Sequence, residues 1–143
     1  STSTLQPLNS AFWALPGTAG QIVGTNQITQ ITWGSLNYDL LSEFGTSTNN
    51  FIAKQAGIYQ FNVLMAWNGV ATSIAEFIRL NGTTQQQVAF TPNGQGNPLY
   101  LFWQGSVSAG GTVDIAVFNN SASNPGTMNT TQFTAAFYGK RVF

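Results

Sequence analysis

The sequence predicts an all-β fold, a β-sandwich or jelly roll, on three observations. Apolar and polar residues alternate with a period of two over short segments, the pattern of half-buried strands. Gly, Asn and Pro punctuate those segments at turn-length spacing. Residues that build solvated helix faces are scarce, with four Lys+Arg and four Asp+Glu in 143 residues, while Thr and aromatics abound.

Taken in order, the first ten residues read as a loose entry segment and residues 1–143 as one domain. Gln27 to Trp33 is the first alternating strand: Ile28, Gln30 and Thr32 against Thr29, Ile31 and Trp33. Asn50 to Lys54 is a short strand, and Gly57 turns it into the clearest one, Ile58 to Trp67. There Tyr59, Phe61, Val63, Met65 and Trp67 share one face. Leu64 and Ala66 make the second face apolar as well, which predicts a central strand covered on both sides. Ala75 to Leu80 ends in Asn81-Gly82, a strong hairpin signal. Leu99 to Val107 sets Leu99, Leu101 and Trp103 against Tyr100 and Phe102. Gly110-Gly111 turns into Val113 to Phe118, with Val113, Ile115 and Val117 inward. The closing strand, Thr131 to Tyr138, puts Phe133, Ala135 and Phe137 in phase. At least seven strands at this spacing make a sandwich or jelly roll.

Composition excludes several functions. Without Cys or His there is no thiolate nucleophile, imidazole base or disulfide, and nearly every zinc site is excluded. Four basic residues at net charge zero form neither a nucleic-acid footprint nor a polybasic membrane patch. No apolar run approaches the roughly 20 residues that span a bilayer, so no membrane insertion is expected. The opening STSTLQPLNS lacks the basic and apolar regions of a signal peptide. At 43% hydrophobic the chain forms a core rather than staying disordered. The surface is instead neutral and polar: 14 Asn, 12 Gln, 11 Ser and 17 Thr make up 54 of 143 residues. Such a surface fits an external fibre, capsid or surface-layer part better than a crowded metabolic enzyme.

The few charged residues suggest structure before chemistry. Asp39 and Glu43 flank Leu40 and Leu41 and read as solvated loop charges, with a cation site or a catalytic pair as the alternatives. Glu76 and Arg79 fall on opposite faces of one strand, each pairing across strands or reaching solvent. Asp114 follows a turn and is placed to accept backbone N–H groups. No Ser is set up as a nucleophile, and the Gly-rich loops lack the Lys of a phosphate loop. No cofactor is implied. Sequons start at Asn81, Asn119 and Asn129, about the number expected by chance from this much Asn, Ser and Thr, so they carry no evidence of glycosylation.

One stretch is more specific. Phe51-Ile52-Ala53-Lys54-Gln55-Ala56-Gly57-Ile58-Tyr59-Gln60-Phe61-Asn62-Val63 resembles the signature of the C1q-like globular head, part of the C1q/tumour-necrosis-factor jelly-roll superfamily. Other pieces follow in that family's order: Ser10-Ala11-Phe12, Leu80-Asn81-Gly82, Ala109 to Ile115, and Phe133 to Phe137. The chain departs from the pattern at Gly110-Gly111, where Gly-Asp is usual, and at Ala135-Ala136, where Gly-Phe is usual. The resemblance implies a jelly-roll β-sandwich of two antiparallel sheets and a homotrimer. The leading reading is a non-enzymatic recognition or interaction head for a glycan or protein ligand, although the resemblance carries over no particular ligand. The acidic calcium ligands of some members have no counterpart, so no metal site is expected.

On this basis the structural core is expected at Phe51, Gly57, Tyr59, Phe61, Val63, Val113, Ile115, Val117, Phe133 and Phe137. Gly57 is expected at a tight or positive-φ connection. Trp13, Trp33, Trp67 and Trp103 are candidates for interface or ligand contact as well as for the core, with Trp13 the one expected at an edge or interface. The expected setting is extracellular or on a particle or cell surface, such as a spore, a phage fibre or a secreted fibrous protein. A purely structural trimerisation cap or coat component is the alternative.

Overall fold

The structure, a computed structural model, describes residues 9–17, 20–68, 73–90, 98–121, 125–128 and 135–143, and every regular element among these is a strand. In chain order they are β1 (Ala11–Pro16), β2 (Ile22–Val23), β3 (Ile28–Gln30), β4 (Trp33–Asp39), β5 (Phe44–Gly45), β6 (Asn50–Ile52) and β7 (Gly57–Met65). Then follow β8 (Trp67–Asn68), β9 (Ile74–Leu80), β10 (Thr83–Phe90), β11 (Leu99–Val107), β12 (Thr112–Asn119), β13 (Gly126–Met128) and β14 (Ala135–Arg141).

Two antiparallel sheets face each other. One is ordered β11-β7-β14-β1-β4, and the other β10-β9-β12-β6-β5, with β3 also on β12. A small third sheet, β2-β13-β8, lies apart from these paths. Apart from β9–β10 and β5–β6, the neighbours in the two large sheets come from distant parts of the sequence, which is the jelly-roll arrangement.

The period-two pattern explains the core. Tyr59, Phe61, Val63 and Met65 of β7 are all buried, and so are Val113, Ile115 and Val117 of β12, as each inner face meets the other. Phe12 lies at the centre. It stacks on Phe44 and on Phe51, each at 5.1 Å between ring centroids, and meets the ring of Phe137 edge-on at 5.0 Å. Aromatic pairs in these geometries add about 0.5–1.5 kcal/mol each beyond the area they bury. Gly139 keeps this cluster closed, since a Cβ there would lie 2.7 Å from the Phe61 ring.

Several sequence expectations need correction. Gln27 to Trp33 is not one strand: Ile28–Gln30 pairs with β12 in one sheet, and Trp33 opens β4 in the other. The buried Ile31 holds the crossing, its N–H donating to the Ile115 carbonyl at 2.8 Å. The alternation therefore continues while the pairing partner changes. β7 ends at Met65, and Trp67 belongs to the small sheet. The second face of β7 is not covered within the chain, because Ile58, Gln60, Asn62 and Leu64 are only half-buried. Ser10 is buried rather than loose. Gly57 has no positive φ. Its small size matters instead, since a Cβ there would lie 2.4 Å from Arg141 Nε and from the Phe143 carbonyl oxygen. The closing strand runs on to Arg141, and Phe133 lies outside the described residues. The Asn81-Gly82 hairpin forms as its sequence demands, with φ values of 49° and 80° at the two central positions of a type I′ turn.

Candidate functional site

Most of the charged side chains make polar contacts within the fold. Asp39 closes the turn after β4 by accepting the N–H of Glu43 at 3.0 Å and of Phe44 at 2.8 Å. Glu43 is buried and accepts the Lys54 N–H at 2.9 Å and the Ser10 hydroxyl. Neither carboxylate is a solvated loop charge: the loop folds back and its N–H groups need acceptors. Burial raises the Tyr59 phenol above its ordinary pKa, and the nearby Glu43 charge adds to that. Arg79 and Asp114 form a bidentate pair across β9 and β12, at 2.8 and 2.5 Å, and Gln30 donates to the same carboxylate at 2.9 Å. Asp114 thus serves a guanidinium and an amide rather than turn N–H groups.

Glu76 departs furthest from expectation. It neither reaches solvent nor pairs with a charge across strands. It is fully buried on the inner face of β9 and accepts the Trp67 indole N–H at 2.9 Å. Burial pushes its pKa up to about 8, against which the Trp67 hydrogen bond acts. None of the four carboxylates lines the cavity described below, and no group of three or more acidic residues among the described residues is placed to hold a metal ion.

The tryptophans separate into two sets. Trp33 and Trp67 are buried in the chain's own core, and Trp103 is half-buried with its ring stacked on Phe61 at 5.9 Å. Trp13 points the other way, onto the outer face of the five-stranded sheet.

That outer face is the most distinctive surface of the molecule. Strand register sets Phe102 opposite Asn62, Asn62 opposite Tyr138, Tyr138 opposite Trp13, and Trp13 opposite Tyr38. Directly opposed residues share a face, so four aromatic rings and one amide form a row across all five strands. Trp13 stacks on Tyr138 at 5.2 Å and meets Tyr38 edge-on at 6.2 Å. One row above, Tyr100 lies opposite Leu64, and Leu64 opposite Ala136. One row below, Gln104, Gln60, Lys140 and Ala11 follow in the same way. Tyr100, Phe102 and Tyr38 remain 52%, 42% and 40% exposed.

A cavity of about 300 Å³ opens between these rows, lined among others by Tyr38, Gln60, Asn62, Tyr100, Tyr138 and Lys140. The Tyr100 hydroxyl donates to Asn62 Oδ1, and Gln60 donates to Gln104 Oε1 at 2.8 Å. Burial raises the Tyr138 phenol above its ordinary pKa, and its hydrogen bond with Tyr100 adds to that.

Of this face the sequence singles out Trp13 alone, as an edge or interface candidate; Trp33, Trp67 and Trp103, named with it, pack in or against the core, and Tyr100, Phe102, Tyr38, Tyr138 and Lys140 are not singled out. The alternation of Tyr138 and Lys140 with the inward Phe137 and Gly139 was the available signal.

No protein-family model matches the sequence, and no curated protein matches it. Solved structures do match in fold. Murine APRIL, crystallised at pH 5.0, superposes with a TM-score of 0.73 at 10% identity, covering 94% of this chain and 99% of that one. The Eiger TNF of S. frugiperda matches at 0.66 with 12% identity, over 95% and 94% of the two chains. The globular domain of zebrafish complement 1qA matches at 0.62 with 17% identity, over 94% and 98%. The fold is therefore a C1q/TNF-like jelly roll.

Proposed function

We propose that residues 1–143 form one non-enzymatic head domain, which assembles as a homotrimer through the outer face of its five-stranded sheet. It serves as the recognition or interaction module of an extracellular or surface-exposed fibrous protein. The observation that carries this reading is the aromatic row Phe102, Tyr138, Trp13 and Tyr38, with Tyr100 and Leu64 beside it. Monomeric proteins rarely expose a contiguous apolar surface of this kind. Fully burying a large apolar side chain from water contributes about 1.5–3 kcal/mol, and these rings, already about half-covered or more within the chain, have roughly half of that or less left to gain. Cyclic closure covers the row on every subunit and leaves no open contact for further growth. The C1q/TNF-like fold supports the same arrangement. No helix among the described residues is long and apolar enough to cross a membrane.

The outer face of the other sheet supports the second reading, a structural cap or coat component of a spore, phage fibre or capsid. On that sheet β10 exposes Thr83 to Gln87 without a charge, and the pair Arg79–Asp114 is neutral overall.

Sedimentation velocity at micromolar concentration tests the assembly. The wild type should sediment as a trimer. Phe102→Asp, at a position the single chain leaves exposed, should sediment as a folded monomer, because each subunit contact would then bury an unpaired carboxylate. A monomeric wild type refutes the trimer. Binding on a glycan array supports recognition. A blank array, with loss of fibre assembly on deletion of the domain, supports the structural role.

A further inference from the structure

The outer face of the five-stranded sheet carries one cation, Lys140. It sits on β14, the middle strand, in the row between Gln60 and Ala11, and it lines the aromatic cavity. No carboxylate of the chain stands within ion-pair distance of it: the sole ion pair among the described residues is Arg79–Asp114. The chain has four acidic residues, and each is committed elsewhere. Asp39 holds the turn after β4, and Glu43 holds Ser10 and the Lys54 backbone. Glu76 is buried against Trp67, and Asp114 is paired with Arg79 on the other sheet.

The consequence appears on assembly and rests on the trimer proposed above. Three sheets packed face-inward around a threefold axis bring their middle strands together, and with them three ammonium groups. Those charges leave part of their water while the dielectric around them falls, so their mutual repulsion grows. On a neighbouring subunit the same four carboxylates already hold hydrogen-bond partners, so none is left without one to answer the ammonium.

We propose that the Lys140 cavities of three subunits form one anion-binding site on the trimer axis, which takes a small polyvalent oxyanion such as a polycarboxylate or phosphate. The other donors suit such a ligand. Asn62 Oδ1 is occupied by the Tyr100 hydroxyl, which leaves the Asn62 amide hydrogens available, and Tyr38 lines the same cavity. Aromatic walls exclude water and strengthen charge-assisted hydrogen bonds.

Benzene-1,3,5-tricarboxylate, whose three carboxylates match the threefold symmetry, and inorganic phosphate are the probes. Benzoate at equal ionic strength is the control. Isothermal titration calorimetry of the trimer should give one tricarboxylate per three chains and little heat with benzoate. Lys140→Met keeps the length and apolar stem of the side chain and should weaken binding roughly tenfold or more, the scale of losing a charged hydrogen-bond partner. At low ionic strength without added anion, Lys140→Met should melt at or above the wild type, and the tricarboxylate should raise the wild type alone. Binding that Lys140→Met leaves unchanged, one ligand per chain, or no binding at millimolar concentration overturns the site. So does a lower melting temperature for Lys140→Met in anion-free buffer. Sedimentation of the same samples separates these results from failure of the assembly: a trimer without anion binding refutes this site alone, whereas a monomer refutes the trimer beneath it.

Discussion

Glu76 should govern the pH dependence of stability. Its carboxyl lies fully buried on β9 with Val88 and Val117 as its neighbours across the ladder. One oxygen accepts the Trp67 indole N–H, and the other accepts no hydrogen bond from the described residues. Burial raises its pKa from 4.5 to about 8. At neutral pH the folded chain therefore holds a proton here that the unfolded chain has released. Between about pH 4.5 and 8 the unfolded state binds fewer protons, so stability falls as pH rises. This contribution is fully present below the unfolded value and lost once pH passes the folded one. The interval is about 3.5 pH units at about 1.4 kcal/mol each, so the loss approaches roughly 5 kcal/mol.

Glu76→Gln isolates the effect. Glutamine has the same shape, keeps an acceptor for Trp67 and never ionises. Urea unfolding at fixed protein concentration, repeated from pH 5 to pH 9, is the assay. The two proteins should be of similar stability at pH 5. The wild type should then lose several kcal/mol relative to the variant by pH 9, and contributions from the other carboxylates cancel in the difference. Parallel pH profiles for the two proteins would refute the assignment of a buried, protonated Glu76.

Two further outcomes follow from the core and from the donor set. Phe61→Ala removes a fully buried ring that contacts Phe12, Phe51, Trp103 and Phe137, and it should cost about 3–5 kcal/mol in denaturant unfolding; an unchanged midpoint would contradict the packing described for β7. EDTA should leave the thermal midpoint unchanged, because a chain without His or Cys offers only oxygen ligands and its four carboxylates are already engaged. A drop of many degrees would reveal a calcium site.

The fold was legible because its signals are local. Alternation over residues 58–65 and 113–117 states which side chains face inward, and Asn81-Gly82 states where a hairpin turns. The errors arose where two local patterns abut. Gln27 to Trp33 keeps its alternation while the chain leaves one sheet for the other, and nothing within seven residues reports a change of partner. The charges misled for a related reason. Glu76 breaks the rule that carboxylates seek water, and its partner Trp67 is nine residues away on a different element. Glu43 lies in a loop, as expected, while Asp39 ends β4, and the loop between them closes on Asp39 and on Ser10, thirty-three residues before Glu43.

The candidate surface was less legible still, because it exists only through register. Its central row draws on positions 102, 62, 138, 13 and 38, which no window of sequence contains together. Each member alone is an ordinary outward residue of a strand. What distinguishes the row is the contrast with the opposite sheet. There the outward-facing charges are partly buried and satisfied within the chain, with Arg79 and Gln30 both bonded to Asp114. Here the rings remain exposed, and the single charge, Lys140, has no acidic partner within reach. A surface that completes its own hydrogen bonds gains little from contact. One that leaves aromatic area and a lone ammonium open lowers its free energy only when something else covers it, and the trimer proposed above would cover the rings and leave the cation in need of a counter-charge.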